Sequence, residues 1–295
     1  MKLLMDILRG MVIGLANVIP GVSGGTMMVS MGIYDKLIWS INHLFKKFKE
    51  CIKILWPYAV GMVLAILLGA KVLEKAFDKF PLPTNTLFIG LILGSLPFIL
   101  KEMKGEKIGW QGILVFAVFF ALVVVLKAVE KENKDLDIEL TAFEVVKLFL
   151  MGAIASATMV IPGVSGSMIL KTLGYYEVIV TKGITGLMSA VSHGEMDEIL
   201  HFVGILLPFG LGIIFGIFGI AKLIAFLMKK WKGRTYCGIL GMVAASPVVI
   251  LMDHEIYEGF NVWILLASIV ALAVGTFIAL KLGGEPETET AVKAG

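Results

Sequence analysis

Twice in this chain the hexapeptide Ile-Pro-Gly-Val-Ser-Gly, at residues 19–24 and again at 161–166, falls in the middle of a run without Asp, Glu, Lys or Arg. Those runs span residues 10–34 and 148–170, and each is long enough to enter a bilayer as a helix. Proline removes a helix donor and glycine permits a turn, so each run is predicted to be a broken helix. Amides and carbonyls freed by such a break find no partner in hydrocarbon. Irregular backbone at that depth must be packed in protein or line a wet cavity.

Six further uncharged runs, at 54–70, 80–100, 108–126, 199–221, 235–252 and 259–280, read as ordinary spanning helices. Of the 295 residues 58% are apolar and 17% charged, with a mean hydropathy of +0.92. So small a volume cannot bury that much apolar surface, and the chain is expected to be an integral, multi-pass membrane protein. A net charge of +3 is too slight and scattered for nucleic-acid binding. Cys51 and Cys237 stand far apart with no metal-ligand spacing, so no disulfide, metal or other cofactor is expected. The start of the chain lacks a small-residue cleavage site, and the first helix is expected to belong to the mature protein.

A helix rises about 1.5 Å per residue, so some 15 Å of chain from Arg9 to Pro20 brings the first break near mid-membrane. The unit is then either a re-entrant hairpin or a pair of tilted crossings, and both leave an even number of passages. Lysines and arginines at 42–53, 101–107 and 229–234 assign these loops to the cytoplasmic side. Segments 183–199 and 252–260 contain acids and no Lys or Arg, and are expected outside. Both termini are then cytoplasmic.

An offset of 142 residues lays the first hexapeptide on the second, Gly10 on Gly152, and Gly32-Ile33-Tyr34-Asp35 on Gly174-Tyr175-Tyr176-Glu177. Further along, Trp56-Pro57 through Gly61 resembles Leu207-Pro208 through Gly212, and Gly90 falls near Gly241. Each half contains one broken unit and three spanning helices. An odd number of crossings inverts the second half, the arrangement of many secondary transporters. The expected fold is an all-α polytopic membrane protein of two inverted-topology repeats, 1–141 and 142–284, with a tail at 285–295. Each repeat is a broken or re-entrant helical hairpin plus three transmembrane helices.

The breaks suit an anion. Gly21, Gly24, Gly25, Gly163 and Gly166 let a ligand approach the main chain, and the helices that restart there present free amides and a positive dipole end. Ser23, Thr26, Ser165 and Ser167 add hydroxyl donors, with Asn17 and Thr158 about one turn before the breaks. Arg9 could reach a phosphate bidentately. Lys171 could point a cation into the cavity or snorkel to the nearby interface. Asp35 and Glu177, at matched ends of the repeats, are expected to act at the interface by capping or pairing with Lys36 or Lys182, or to carry a coupling proton. Gly32, Gly174 and the glycines of the later helices are expected to serve close helix packing. Serine catalysis is not expected, because no His and carboxylate accompany Ser23 or Ser165.

Arg9-Gly10, the stretch from Gly14 to Thr26, Gly32-Ile33-Tyr34-Asp35 and the stretch from Ile161 to Ser167 together resemble the PopT-type undecaprenyl-phosphate translocase family. The similarity covers essentially the whole chain, although Lys171 stands where the family pattern implies an apolar residue. The resemblance implies a flippase that returns undecaprenyl phosphate, the lipid carrier of envelope polymers such as peptidoglycan, from the outer to the cytoplasmic leaflet. A long prenyl tail can stay in lipid while its charged head crosses through a laterally open polar groove. Coupling to a proton or sodium gradient fits such a device. The alternatives are a secondary transporter of a small soluble anion and, less well supported, a polyprenyl pyrophosphate phosphatase.

Overall fold

A computed structural model describes residues 2–18, 23–129, 140–162 and 166–282. Among these residues every regular element is helical. The order is α1 (Lys2–Val18), α2 (Gly24–Ser30), α3 (Tyr34–Asn42), α4 (Phe48–Lys79), α5 (Pro81–Glu102) and α6 (Trp110–Ala128). There follow α7 (Ala142–Val160), α8 (Gly166–Thr172), a π-helical turn (Glu177–Gly183), α9 (Ile184–His193), α10 (Met196–Leu251), a 3₁₀ turn (His254–Tyr257) and α11 (Val262–Leu282).

Four helices among the described residues, α5, α6, α10 and α11, are long and apolar enough to cross a membrane. The most apolar stretch of α5 is 61% buried, against 11% for α6 and 17% for α11, so α5 is central and the other two are peripheral. Side chains such as Leu122, Val125, Trp263 and Phe277 face outward from those peripheral helices. A helix on a water-soluble surface carries polar residues there, so the solvent outside these helices is lipid. The chain is a multi-pass membrane protein.

At 56 residues, α10 would be about 84 Å long if straight, far beyond the need of one crossing. Trp231 divides it, with φ −141° and ψ 53°. Segment 229–234, expected to be a loop, is therefore helical on both sides of one non-helical residue. Phe80, alone between α4 and α5, has nearly the same conformation, φ −138° and ψ 60°. Thr84 donates to the Phe80 carbonyl at 2.7 Å and Thr235 to the Trp231 carbonyl at 2.9 Å, so each bend is fastened one turn later by the same residue type.

The interrupted units begin alike. Helix α1 ends at Val18 and α2 starts at Gly24, and α7 ends at Val160 with α8 starting at Gly166. Both short helices end in one type of turn. The Gly32 amide reaches Val29 and that of Ile33 reaches Met28, while Gly174 reaches Lys171 and Tyr175 reaches Leu170. Gly32 and Gly174 have φ of 65° and 81°, a left-handed conformation that favours glycine. Their place in these turns corrects the expectation that they are packing glycines.

In each unit a residue that follows the short helix is linked to one near the unit's start. Tyr58 of α4 donates to Asp6 near the start of α1 at 2.8 Å and receives Lys36, after α2, at 3.5 Å. In the second unit Tyr175, after α8, donates to Glu144 near the start of α7 at 3.4 Å.

Several glycines of the long helices do serve packing. Helices α1 and α4 lie so close that a Cβ on Gly10 or Gly61 would collide with the Tyr58 or Ile7 carbonyl. Helices α7 and α10 repeat the arrangement, with Gly152 against Phe209 and Gly212 against Phe149. Helices α5 and α11 meet through Gly90 and Gly275. We expect Gly61→Ala and Gly212→Ala each to cost about 1–3 kcal/mol of stability, because backbone cannot yield as a side chain can. Thermal unfolding of the detergent-solubilised protein measures this. Gly219→Ala, which meets open space, should leave the midpoint within about 1 °C.

Candidate functional site

The start of α2 lies against the end of α7. Ser23 accepts from the Gly25 amide at 3.2 Å and so caps α2. Its hydroxyl also lies 3.2 Å from the Ile161 carbonyl and 3.5 Å from that of Thr158, at the end of α7. One hydroxyl proton serves these two acceptors, and Ile161 is the better placed. A cap of this kind contributes about 1 kcal/mol, and the cross-unit bond a similar amount. At Gly25 a Cβ would stand 2.7 Å from the Val160 carbonyl oxygen and 3.1 Å from the Ile161 carbonyl, so only a bare backbone fits at this crossing.

Asn17 closes the same corner from α1, its carboxamide oxygen accepting from the Gly24 amide at 3.1 Å. The first two amides of α2 are thus occupied by side chains. A ligand that used them would have to displace Asn17 and Ser23, which can swing on their own torsions. Thr26, fully buried, and Ser30, which donates to the Thr26 carbonyl at 2.8 Å, continue the polar line along α2. This helix packs between α5 and α7, in the middle of the bundle.

Of the residues singled out from sequence, Asn17, Ser23, Gly24, Gly25 and Thr26 gather at this crossing. Gly166, buried, opens α8, and Ser167 follows it, half-buried. Gly21, Gly163 and Ser165 lie outside the described residues. Lys171, in the last turn of α8, lays its ammonium 5.4 Å from the Tyr176 ring centre, a cation–π contact. Glu177 opens the π-helical turn. Segment 183–199, expected as an external connection, contains α9 and the first residues of α10.

Arg9 is not at the crossing in this conformation. Its guanidinium lies 3.5 Å from Asp6, one turn farther from the break, and roughly 13 Å of helix separates Arg9 from Val18. With Tyr58 and Lys36 these residues form a polar cluster that sequence reasoning missed. The available signal was Asp6 three residues before Arg9 in an apolar helix, since an acid beside an arginine at that spacing forms a pair. Asp35 takes its hydrogen bond from Tyr236, at 2.9 Å, across 201 positions of sequence.

A multi-pass helical membrane protein whose two interrupted helices meet inside the bundle has the build of a transporter. Over residues 13–262 the chain matches the family described as VCA0040-like, undecaprenyl phosphate translocase-like, and it belongs to that family. It is 29% identical over 287 residues to the polyprenyl-phosphate transporter of Staphylococcus aureus (strain NCTC 8325 / PS 47), covering 94% of this chain and 95% of that one. It is also 29% identical over 261 residues to the polyprenyl-phosphate transporter of Vibrio cholerae serotype O1 (strain ATCC 39315 / El Tor Inaba N16961), covering 83% and 77%. Both relatives are named as transporters, not enzymes. No solved structure matches the chain.

Proposed function

We propose that this protein is a flippase for polyprenyl phosphate, undecaprenyl phosphate in particular, in the cytoplasmic membrane. It carries the head group from the outer to the cytoplasmic leaflet, so that the lipid carrier can be reused in envelope-polymer synthesis. The observation that carries this reading is the contact of Ser23 with the end of α7, which joins the two interrupted helices in a chain whose relatives are polyprenyl-phosphate transporters. The head group docks at that crossing, on main-chain amides and the hydroxyls of Ser23, Thr26, Ser165 and Ser167. Gly21, Gly24, Gly25, Gly163 and Gly166 keep the backbone open to it, Asn17 and Lys171 border it, and Arg9 receives the phosphate on its cytoplasmic leg.

On this reading residues 1–141 and 142–284 are two inverted repeats with both termini cytoplasmic. The paired bends at Phe80 and Trp231 and the matching glycine contacts support the repeat. The shared Tyr58 contact of Asp6 and Lys36 supports a re-entrant first unit. Rocking of one repeat on the other exposes the crossing to alternate sides while the prenyl tail remains in lipid, and a proton or sodium gradient drives the cycle through Asp35 and Glu177.

Proteoliposomes provide the test. Labelled polyprenyl phosphate is expected to exchange leaflets only with protein present, and labelled inorganic phosphate is not expected to enter. Phosphate uptake without lipid inversion would replace this reading with that of a soluble-anion transporter. Release of inorganic phosphate from polyprenyl pyrophosphate would replace it with a phosphatase.

A further inference from the structure

Away from the crossing of the interrupted units lies a polar pocket, where the turn after α2 faces the end of α5 and the start of the second arm of α10. It has a volume of about 30 Å³ and is lined by Tyr34, Asp35, Glu102 and Tyr236 among apolar neighbours. One water needs roughly 10–15 Å³ measured in this way, so the space holds about two waters or one small ion with a water. Every polar side chain on its wall offers oxygen.

Two features of the wall point to a cation. Tyr34 is only 4% exposed, and its hydroxyl has no hydrogen-bond partner among the described residues. A buried phenol oxygen left without a partner costs about 1–3 kcal/mol unless something in the cavity meets it. The second feature is charge. The charged side chains at the cavity are Asp35 from α3 and Glu102 from α5, both acidic, with Lys232 from α10 lying 3.7 Å from Glu102. One ammonium against two carboxylates leaves a single negative charge, and the neutral phenol of Tyr236 donates to Asp35 without cancelling it. Among the described residues no group of three His, Cys, Asp or Glu side chains is placed to hold a metal ion, here or elsewhere, which disfavours a divalent ion.

We propose that this cavity binds one monovalent alkali cation of sodium size, with Asp35, Glu102 and the hydroxyl oxygen of Tyr34 as ligands. Hard oxygen donors suit such an ion. A proton on one carboxyl would balance the charge, but it would neither fill the cavity nor meet Tyr34. The α2–α3 turn carries Gly32; Tyr34 and Asp35 open α3 directly after it, and α2 begins just after its cap, Ser23. Occupancy of the cavity therefore fixes the far end of the same short helix that meets α7. Its use as the coupling site of transport rests on the flippase reading, whereas the binding does not.

The experiment measures binding of ²²Na⁺ to the purified full-length protein in detergent, with choline chloride holding ionic strength constant. Saturable binding of about one ion per chain is expected, lost in Asp35→Asn and weakened about tenfold in Tyr34→Phe, a loss of roughly 1.4 kcal/mol. Sodium should also raise the thermal midpoint of the wild type saturably, because it binds only the folded protein. Monodisperse elution and an unchanged midpoint in choline chloride identify a folded variant, and Tyr34→Phe decides alone if Asp35→Asn does not fold. Folded wild type without saturable sodium binding overturns the proposal. So does a midpoint that responds to pH but not to sodium, and so does Tyr34→Phe binding as tightly as wild type. Lipid inversion that persists in such a case leaves the flippase reading standing.

Discussion

Gly25→Ala is expected to lower the rate of polyprenyl-phosphate inversion at least about tenfold, the loss being conformational and local to the crossing of the two interrupted units. Helix propensity alone argues the other way, since alanine in place of glycine favours a helix by about 0.8–1.0 kcal/mol. The contact decides the sign. A Cβ at this position would come 2.7 Å from the Val160 carbonyl oxygen, and both partners are backbone, so neither can rotate aside. The units must separate, and the Ser23 bond to Ile161 breaks with them. Inversion measured in proteoliposomes, together with elution profile and thermal midpoint in detergent, checks this. A Gly25→Ala variant as active as wild type would show that the two units need not touch to work.

Arg9→Ala should abolish inversion, and the interest lies in what restores it. The guanidinium lies on Asp6, and Asp6 also accepts from Tyr58. Removing Arg9 leaves the Asp6 carboxylate held, among the described residues, by Tyr58 alone and costs about 1–3 kcal/mol, which could by itself explain a dead variant. The double variant Asp6→Ala/Arg9→Ala relieves that cost. If Arg9 receives the phosphate, the double variant folds better than Arg9→Ala yet stays inactive. Recovery of inversion in the double variant would reduce Arg9 to a partner of Asp6. Arg9→Lys adds a graded test, because a single ammonium cannot reproduce bidentate geometry, and it should keep the stability while losing most of the rate.

The hexapeptides announced the interrupted helices because Pro-Gly in an uncharged run has few other outcomes. The packing glycines of the later helices were legible for a similar reason, since glycine in a membrane helix mainly admits a neighbour. Gly32 and Gly174 were misread because composition does not distinguish a glycine that admits a neighbour from one that turns the chain. Residues 229–234 were misread because Lys229, Lys230, Lys232 and Arg234 look like a loop. A helix can carry such a run when one residue, Trp231, takes the whole change of direction. Asp35 was visible as an acid at the end of a repeat. Its partner Tyr236 and the neighbouring Glu102 come from distant helices, and nothing local in the sequence links them. The Asp6–Tyr58 bond is hidden in the same way, with 52 positions between donor and acceptor.

The bends at Phe80 and Trp231 bear on how motion can be shared. A joint of one residue has no slack, so tilting α4 pulls α5 within a single peptide unit, and the two arms of α10 are coupled as tightly. The long helices thus stand as angled struts joined at single-residue corners. In the proposed cycle the change of angle between two struts falls on that one residue, and sliding between leaflets is taken up where one pair of struts rides on another.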